Sequence, residues 1–317
     1  MSYPNIGKFV MGNIKKYLNE YNNQMKKHES KSLINVDFRE IANSIHHLHR
    51  LSNVNKSIIF KKYNDNLTLS YLGIVNLSYL SLASYQENYK NPININWLDG
   101  KHCGLDPNFF LQTLVANINN AMAVIRLIES GLDTQARAMI RILAESVFST
   151  LIVFTDTDIF VKYASARDTD EAEMVWYKYL RGPKLQQILT QIEKKVGLPE
   201  DIISELSKMR LYVYKHYSAY VHNSSSTSVI GSHAFSFTDD ILHLGLGGKA
   251  SLASESTIYY LNWLIYYFSL IIKGIFTHFH LYKPPSDSEI WRLAVPIREC
   301  FIQVYLQVTY KEDLGGD

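Results

Sequence analysis

Punctuation is scarce in this chain: 15 glycines and 8 prolines are spread over 317 residues. Short strands need frequent turn formers between them, so this scarcity favours long helices over a β fold. The apolar residues agree with that reading. In "IGKFVMGNIKKYLNEYNNQMKK" Ile6, Phe9, Val10, Ile14 and Leu18 form a helical stripe with lysines opposite. "DFREIANSIHHLHRLS" repeats the pattern with Phe38, Ile41, Ile45 and Leu48, and Asp37 is placed to cap its start. "LSYLGIVNLSYLSLASYQENY" predicts a third, more apolar helix.

Further along, "FFLQTLVANINNAMAVIRLIESG" predicts a long helix stopped by Gly131. "DTQARAMIRILAESVFSTLIVF" follows at once with Asp133 as its expected N-cap, so the two helices form an antiparallel hairpin. Helices are then expected at "TDEAEMVWYKYL", at "KLQQILTQIEKKVG" ended by Gly197, and at "PEDIISELSKMRLYVYKHYSAYVH" opened by Pro199. The polar run "NSSSTSVIGSHAFSFTDDILHLGLGGKAS" interrupts them, and Val229–Ile230 with Ile241–Leu246 suggest a small β-hairpin near 228–247. An apolar helix over 254–281 and a last helix over 286–309 complete the chain. The expected fold class is all-α: an antiparallel helical bundle with an N-terminal helical extension. The turn-rich "KNPININWLDGKHCGLDPN" marks the expected boundary between a basic N-terminal helical region, 1–100, and a helical body, 101–317.

The net charge of +2 hides an asymmetry. Residues 1–66 hold 11 Lys and Arg against 5 Asp and Glu, whereas the remainder holds 21 against 25. His28, His46, His47 and His49 add to the basic end. Such a section can face phosphate, or can simply be a solvated, lysine-rich helix surface. Cys103 and Cys300 stand far apart, with no metal-ligand spacing around either. A reducing, cytoplasmic setting is expected, without a disulfide scaffold, a metal site or a cofactor. "MSYPNIGKFV" has no apolar signal-peptide core. The tract "IYYLNWLIYYFSLIIKGIF", 258–276, is about as long as a membrane span, but Tyr266, Tyr267 and Lys273 suit a buried helix among helices better. No stable membrane insertion is expected.

Two groups of residues carry chemistry. Arg137, Arg141 and Glu145 recur at steps of four within an apolar helix, where long charged side chains stay buried only when paired. The stripe is either an Arg–Glu pair pinning the bundle or an arginine held so that its spare donors meet an anion. The second group is "RLYVYKHYSAYVHNSSS", 210–226. At about 100° per residue, Lys215, Ser218 and His222 form one polar line backed by Tyr214, while Arg210 and His216 lie about 120° apart. A histidine that moves protons beside a cation that holds phosphate suffices for RNA cleavage without metal, in which the ribose 2′-hydroxyl attacks the adjacent phosphate.

The succession "AMAVIRLIESGLDTQARAMIRILAESVF" and then "RLYVYKHYSAYVHN" resembles the HEPN-like superfamily of all-α prokaryotic proteins. The resemblance covers about residues 105–281. It rests on an A-x-x-x-x-R-x-x-x-E helix, here Ala136, Arg141 and Glu145, and on a Y-x-x-x-S-x-Y-x-H segment, here Tyr214, Ser218, Tyr220 and His222. Such proteins are commonly ribonucleases of toxin–antitoxin and antiviral defence systems. Their site pairs an arginine with a histidine four to six residues on, usually across a dimer, and Arg210 and His216 match that spacing. The resemblance therefore implies a cytoplasmic ribonuclease, homodimeric, with RNA as substrate and an antitoxin or defence-system protein as partner. His222, His216 and Arg210 are the expected catalytic residues. Arg141, Glu145, Lys215, Ser218, Tyr214 and Tyr220 are expected to line the phosphate. The other reading is a non-catalytic interaction protein that senses a nucleotide or RNA.

Overall fold

A computed structural model describes residues 8–27, 38–90, 94–96, 102–104, 107–166, 168–222, 227, 232–237, 241–245, 247–278 and 289–309. In chain order these form α1 (Lys8–Lys27), α2 (Phe38–Lys90), β1 (Asn94–Asn96), β2 (His102–Gly104), α3 (Pro107–Glu129), α4 (Asp133–Val153) and α5 (Thr157–Ser165). There follow α6 (Thr169–Tyr179), α7 (Gly182–Lys195), α8 (Glu200–Val221), β3 (His233–Phe235), β4 (Leu242–Leu244), α9 (Ser254–His278) and α10 (Glu289–Thr309). The protein is all-α, with two small antiparallel hairpins.

The two helices expected around 37–52 and 69–89 are joined into α2 across a kink at Tyr63. No glycine or proline lies between Phe38 and Leu72, so nothing ends α2; it bends where Tyr63 leaves helical geometry at φ −124°, ψ 32°. α2 packs against α3, α9 and α10, and its Ile59, Leu67, Leu77 and Ala83 belong to the same core as Ile140, Leu151, Leu264 and Phe301. The hydrophobic core thus runs across the boundary expected near residue 100. Polar rungs tie α2 to α9: Ser70 Oγ donates to Asn262 Oδ1 at 2.7 Å, and Asn76 Nδ2 donates to Ser269 Oγ at 2.8 Å.

The α3–α4 hairpin forms as expected. Gly131 takes φ +77°, its N–H bonds Ile128 O at 2.9 Å, and Leu132 N–H bonds Leu127 O at 2.8 Å, which together close the end of α3. Gly197 ends α7 in the same conformation, and Pro199 is the N-cap of α8. Asp133, however, is not the cap of α4. Leu132 holds that position without a side-chain bond, because the Asp133 carboxylate is occupied by Arg137 Nε at 2.7 Å and Thr257 Oγ1 at 2.8 Å.

The hairpin near 228–247 forms as β3–β4, with His233 opposite Leu244 and Phe235 opposite Leu242. Val229 and Ile230, expected as its first strand, lie outside the described residues, as does Asp37. The turn-rich stretch around 91–106 contributes a second hairpin, with Asn94 opposite Gly104 and Asn96 opposite His102. α5 was also not evident from periodicity, although Asp156 caps it by accepting from Ile159 N at 2.9 Å.

Among the described residues two helices, within Arg39–Ser84 and Ser254–Ile275, are long and apolar enough to cross a membrane by length and composition. In α9, 67% of that apolar window is buried inside the bundle, including Tyr267.

Candidate functional site

α8 crosses α4 antiparallel, and one line of buried residues (Ile203, Leu206, Arg210, Val213 and Tyr217) points into the bundle. This line divides the remaining side chains of α8 between two flanks. Tyr214 and Ser218 lie on one, leading to His222 at the helix end; Tyr212, His216 and Tyr220 lie on the other.

Arg210 is fully buried. Its guanidinium meets Glu193 of α7 through Nη1, Gln186 Oε1 through Nε at 2.9 Å, and Thr190 Oγ1 through Nη2 at 3.1 Å. Tyr267 Oη donates to the same Glu193 carboxylate at 2.8 Å. Burial pushes the Glu193 carboxyl up against the opposing pull of Arg210 and Tyr267. A solvent-borne phosphate has no path to this arginine. Its expected catalytic part is therefore corrected to that of an internal ion pair joining α7, α8 and α9.

His216 is exposed and lies on the second flank, so the Arg210–His216 spacing does not bring those two side chains to one surface. Its ring stacks on Tyr212, centroids 5.0 Å apart and 12° from parallel, and meets the face of Tyr217 edge-on at 5.0 Å. Tyr212 in turn stacks on Tyr260 of α9 at 5.1 Å. Desolvation by these rings, and then the charge of Arg137, hold the His216 imidazole below its ordinary pKa. Tyr220 is similarly occupied, because its hydroxyl accepts from Arg137 Nη1 at 2.8 Å. The phosphate-lining part expected of Tyr220 becomes that of a brace.

Arg137 itself is a clasp. Besides Asp133 and Tyr220 it donates to Ala253 O at 2.9 Å, so one guanidinium joins α4, α8 and the residues before α9. The stripe of Arg137, Arg141 and Glu145 thus shares a helix face but divides its work.

The first flank gathers the remaining expected residues. Arg141 lays its guanidinium 3.5 Å from the centroid of the Tyr214 ring and pairs with Glu145 Oε1 at 2.5 Å. The Arg141 side chain is only 7% exposed, whereas that of Glu145 is 30% exposed. Arg141 is therefore placed to hold and charge-balance the carboxyl, with little surface of its own for a phosphate. Tyr214, with its face covered by that guanidinium, is a platform for it. Burial raises the Glu145 carboxyl above its ordinary pKa, opposed first by Arg141 and then by the charge of His222. His222 is exposed, and its N–H bonds Ser218 O at 3.3 Å as the C-cap of α8. Lys215 is exposed about two turns earlier and Ser218 is half-buried between them.

This arrangement offers a half-buried carboxyl whose pKa is raised by burial, an exposed imidazole whose charge opposes that rise, and an exposed ammonium. Those are the parts of an acid–base site for an anionic substrate. Among the described residues no group of three His, Cys, Asp or Glu side chains converges as a metal site. No protein-family model matches this chain, and comparisons with curated proteins and with solved structures find no match either.

Proposed function

We propose that the protein is a HEPN-like ribonuclease that cleaves RNA without metal, at the Glu145–His222 flank of α8. The observation that carries the reading is the half-buried Glu145, held by Arg141 and within the field of His222. One of the two removes the proton from the ribose 2′-hydroxyl as it attacks the adjacent phosphate. The other protonates the departing 5′-oxygen, leaving a 2′,3′-cyclic phosphate. Lys215 and the Ser218 hydroxyl face the phosphate, and Lys215 offsets the charge that builds there. On this reading the chain acts in the cytoplasm as a homodimer, restrained by an antitoxin or defence-system partner. Purified protein incubated with unstructured RNA in chelator tests it: cyclic-phosphate ends are expected from the wild type and none from His222→Ala.

One observation favours a second reading. The arginine of the family-spaced pair is sealed in the core, so Arg210 and His216 supply no nuclease centre. A protein that binds RNA on this flank without cutting it would show salt-sensitive RNA binding and no new ends.

A further inference from the structure

Beside Glu145 a cleft of about 430 Å³ opens between α3, α4 and the α5–α6 pair. We infer that this cleft receives an unpaired nucleobase, held by stacking, and so positions the nucleotide that lies next to the reacting phosphate. The inference rests on the ribonuclease reading for its biological sense, but the binding it describes stands on its own.

The walls carry the argument. On one side, Tyr163 of α5 and Trp176 of α6 line the cleft with aromatic rings. Base stacking on such rings is the general means of holding single-stranded RNA. On the other, Gln112 and Asn120 of α3 and Ser149 of α4 offer uncharged donors and acceptors. Among the described residues that line it, Glu145 is the only charged one, so the cleft suits a neutral, flat, hydrogen-bonding group rather than a phosphate.

Ser149 points to a ligand independently. It is 7% exposed, it lines the cleft, and its Oγ is buried with no hydrogen-bond partner in the protein. Leaving a buried hydroxyl unsatisfied is costly, and a base edge brought against it would remove that cost. Glu145 lies one helical turn before Ser149 and belongs both to the cleft and to the Arg141 pair. Its carboxyl is therefore engaged at the rim of the cleft, and the aromatic and uncharged walls are left to hold the base.

Calorimetric titration of the full-length protein with guanosine, adenosine, cytidine and uridine tests the inference without requiring phosphate or cleavage. Tight binding is expected of guanosine and adenosine, whose larger rings stack better than those of the pyrimidines. Trp176→Ala is expected to weaken it about tenfold or more, the size of one lost base–aromatic stack, while Trp176→Phe retains most of the affinity. Ser149→Val, which fills the cleft and removes the hydroxyl, should likewise abolish binding, and Gln112→Leu provides a milder probe at an exposed wall. Thermal unfolding of each variant shows whether it is folded. Failure of wild-type protein to bind either purine nucleoside, a preference for the pyrimidines, or equal binding by folded Trp176→Ala and Ser149→Val would overturn the inference. Purine nucleoside binding by a protein that cuts no RNA would uphold the base site and remove only the ribonuclease reading.

Discussion

Arg210 and Glu193 form an ion pair in which neither side chain has any exposed surface, with Tyr267, Gln186 and Thr190 completing its hydrogen bonds. Removing one partner of such a pair leaves a buried charge uncompensated, at about 3–5 kcal/mol. Arg210→Ala and Glu193→Ala should therefore each lower stability by about that much in denaturant unfolding. The double substitution Arg210→Met with Glu193→Leu should recover a large part of the loss. Any effect of Arg210→Ala on RNA should follow the loss of folded protein.

Arg137 reaches three directions with one planar fork: to Asp133, to Tyr220 and to Ala253 O. A lysine is a single flexible point charge and cannot reproduce that geometry. Arg137→Lys is expected to destabilise nearly as much as Arg137→Ala, whose cost is on the order of 3 kcal/mol for a broken buried pair. Thermal unfolding of the two variants side by side measures this.

His216 gives the protein a pH dependence of definite sign. Its pKa is lowered from 6.5 on folding by ring burial and by Arg137, so the folded protein binds this proton less readily than the unfolded chain. Its contribution is complete above pH 6.5, is lost as pH falls through the lowered folded value, and then levels off. Melting temperatures measured across this range should fall more steeply on acidification for the wild type than for His216→Gln.

Gly131 is required where it stands. At φ +77° a Cβ would lie 2.6 Å from the backbone of Lys249. Gly131→Ala therefore combines left-handed strain with a clash against main chain, and a loss of at least about 1–2 kcal/mol is expected from the strain alone. Chemical denaturation of the variant checks it.

These particulars show how much was legible in the sequence. The scarcity of glycine and proline gave the all-α class, and Gly131, Gly197 and Pro199 marked helix ends because each supplies a backbone state that other residues adopt poorly. The split of α8 into two flanks followed from helical geometry, and with it the grouping of Tyr214, Ser218 and His222. The partner of Arg210 was missed, although a signal existed: Glu193 falls on the stripe of Leu185, Leu189 and Ile192, an acid where α7 is otherwise apolar. The Asp133–Arg137 pair was likewise written in its spacing of four, and capping was the wrong use for that carboxylate. The base-sized cleft was not legible, because Ser149, Tyr163 and Trp176 come from three elements whose packing no periodicity encodes. Family spacing misled at Arg210 and His216, since spacing along a helix fixes relative angle but not which side is buried.

The central claim is that Glu145 and His222 act together on RNA. Its most direct measurement is the rate of cyclic-phosphate formation from unstructured RNA in chelator, compared among wild type, His222→Ala, Glu145→Gln and His216→Ala at matched folded concentration. The account predicts a loss of about a hundredfold or more for each of the first two variants, the usual size of a general acid–base contribution, and a rate within a few fold of wild type for His216→Ala. Undiminished cleavage by His222→Ala and Glu145→Gln, or cleavage lost only with His216, would contradict it.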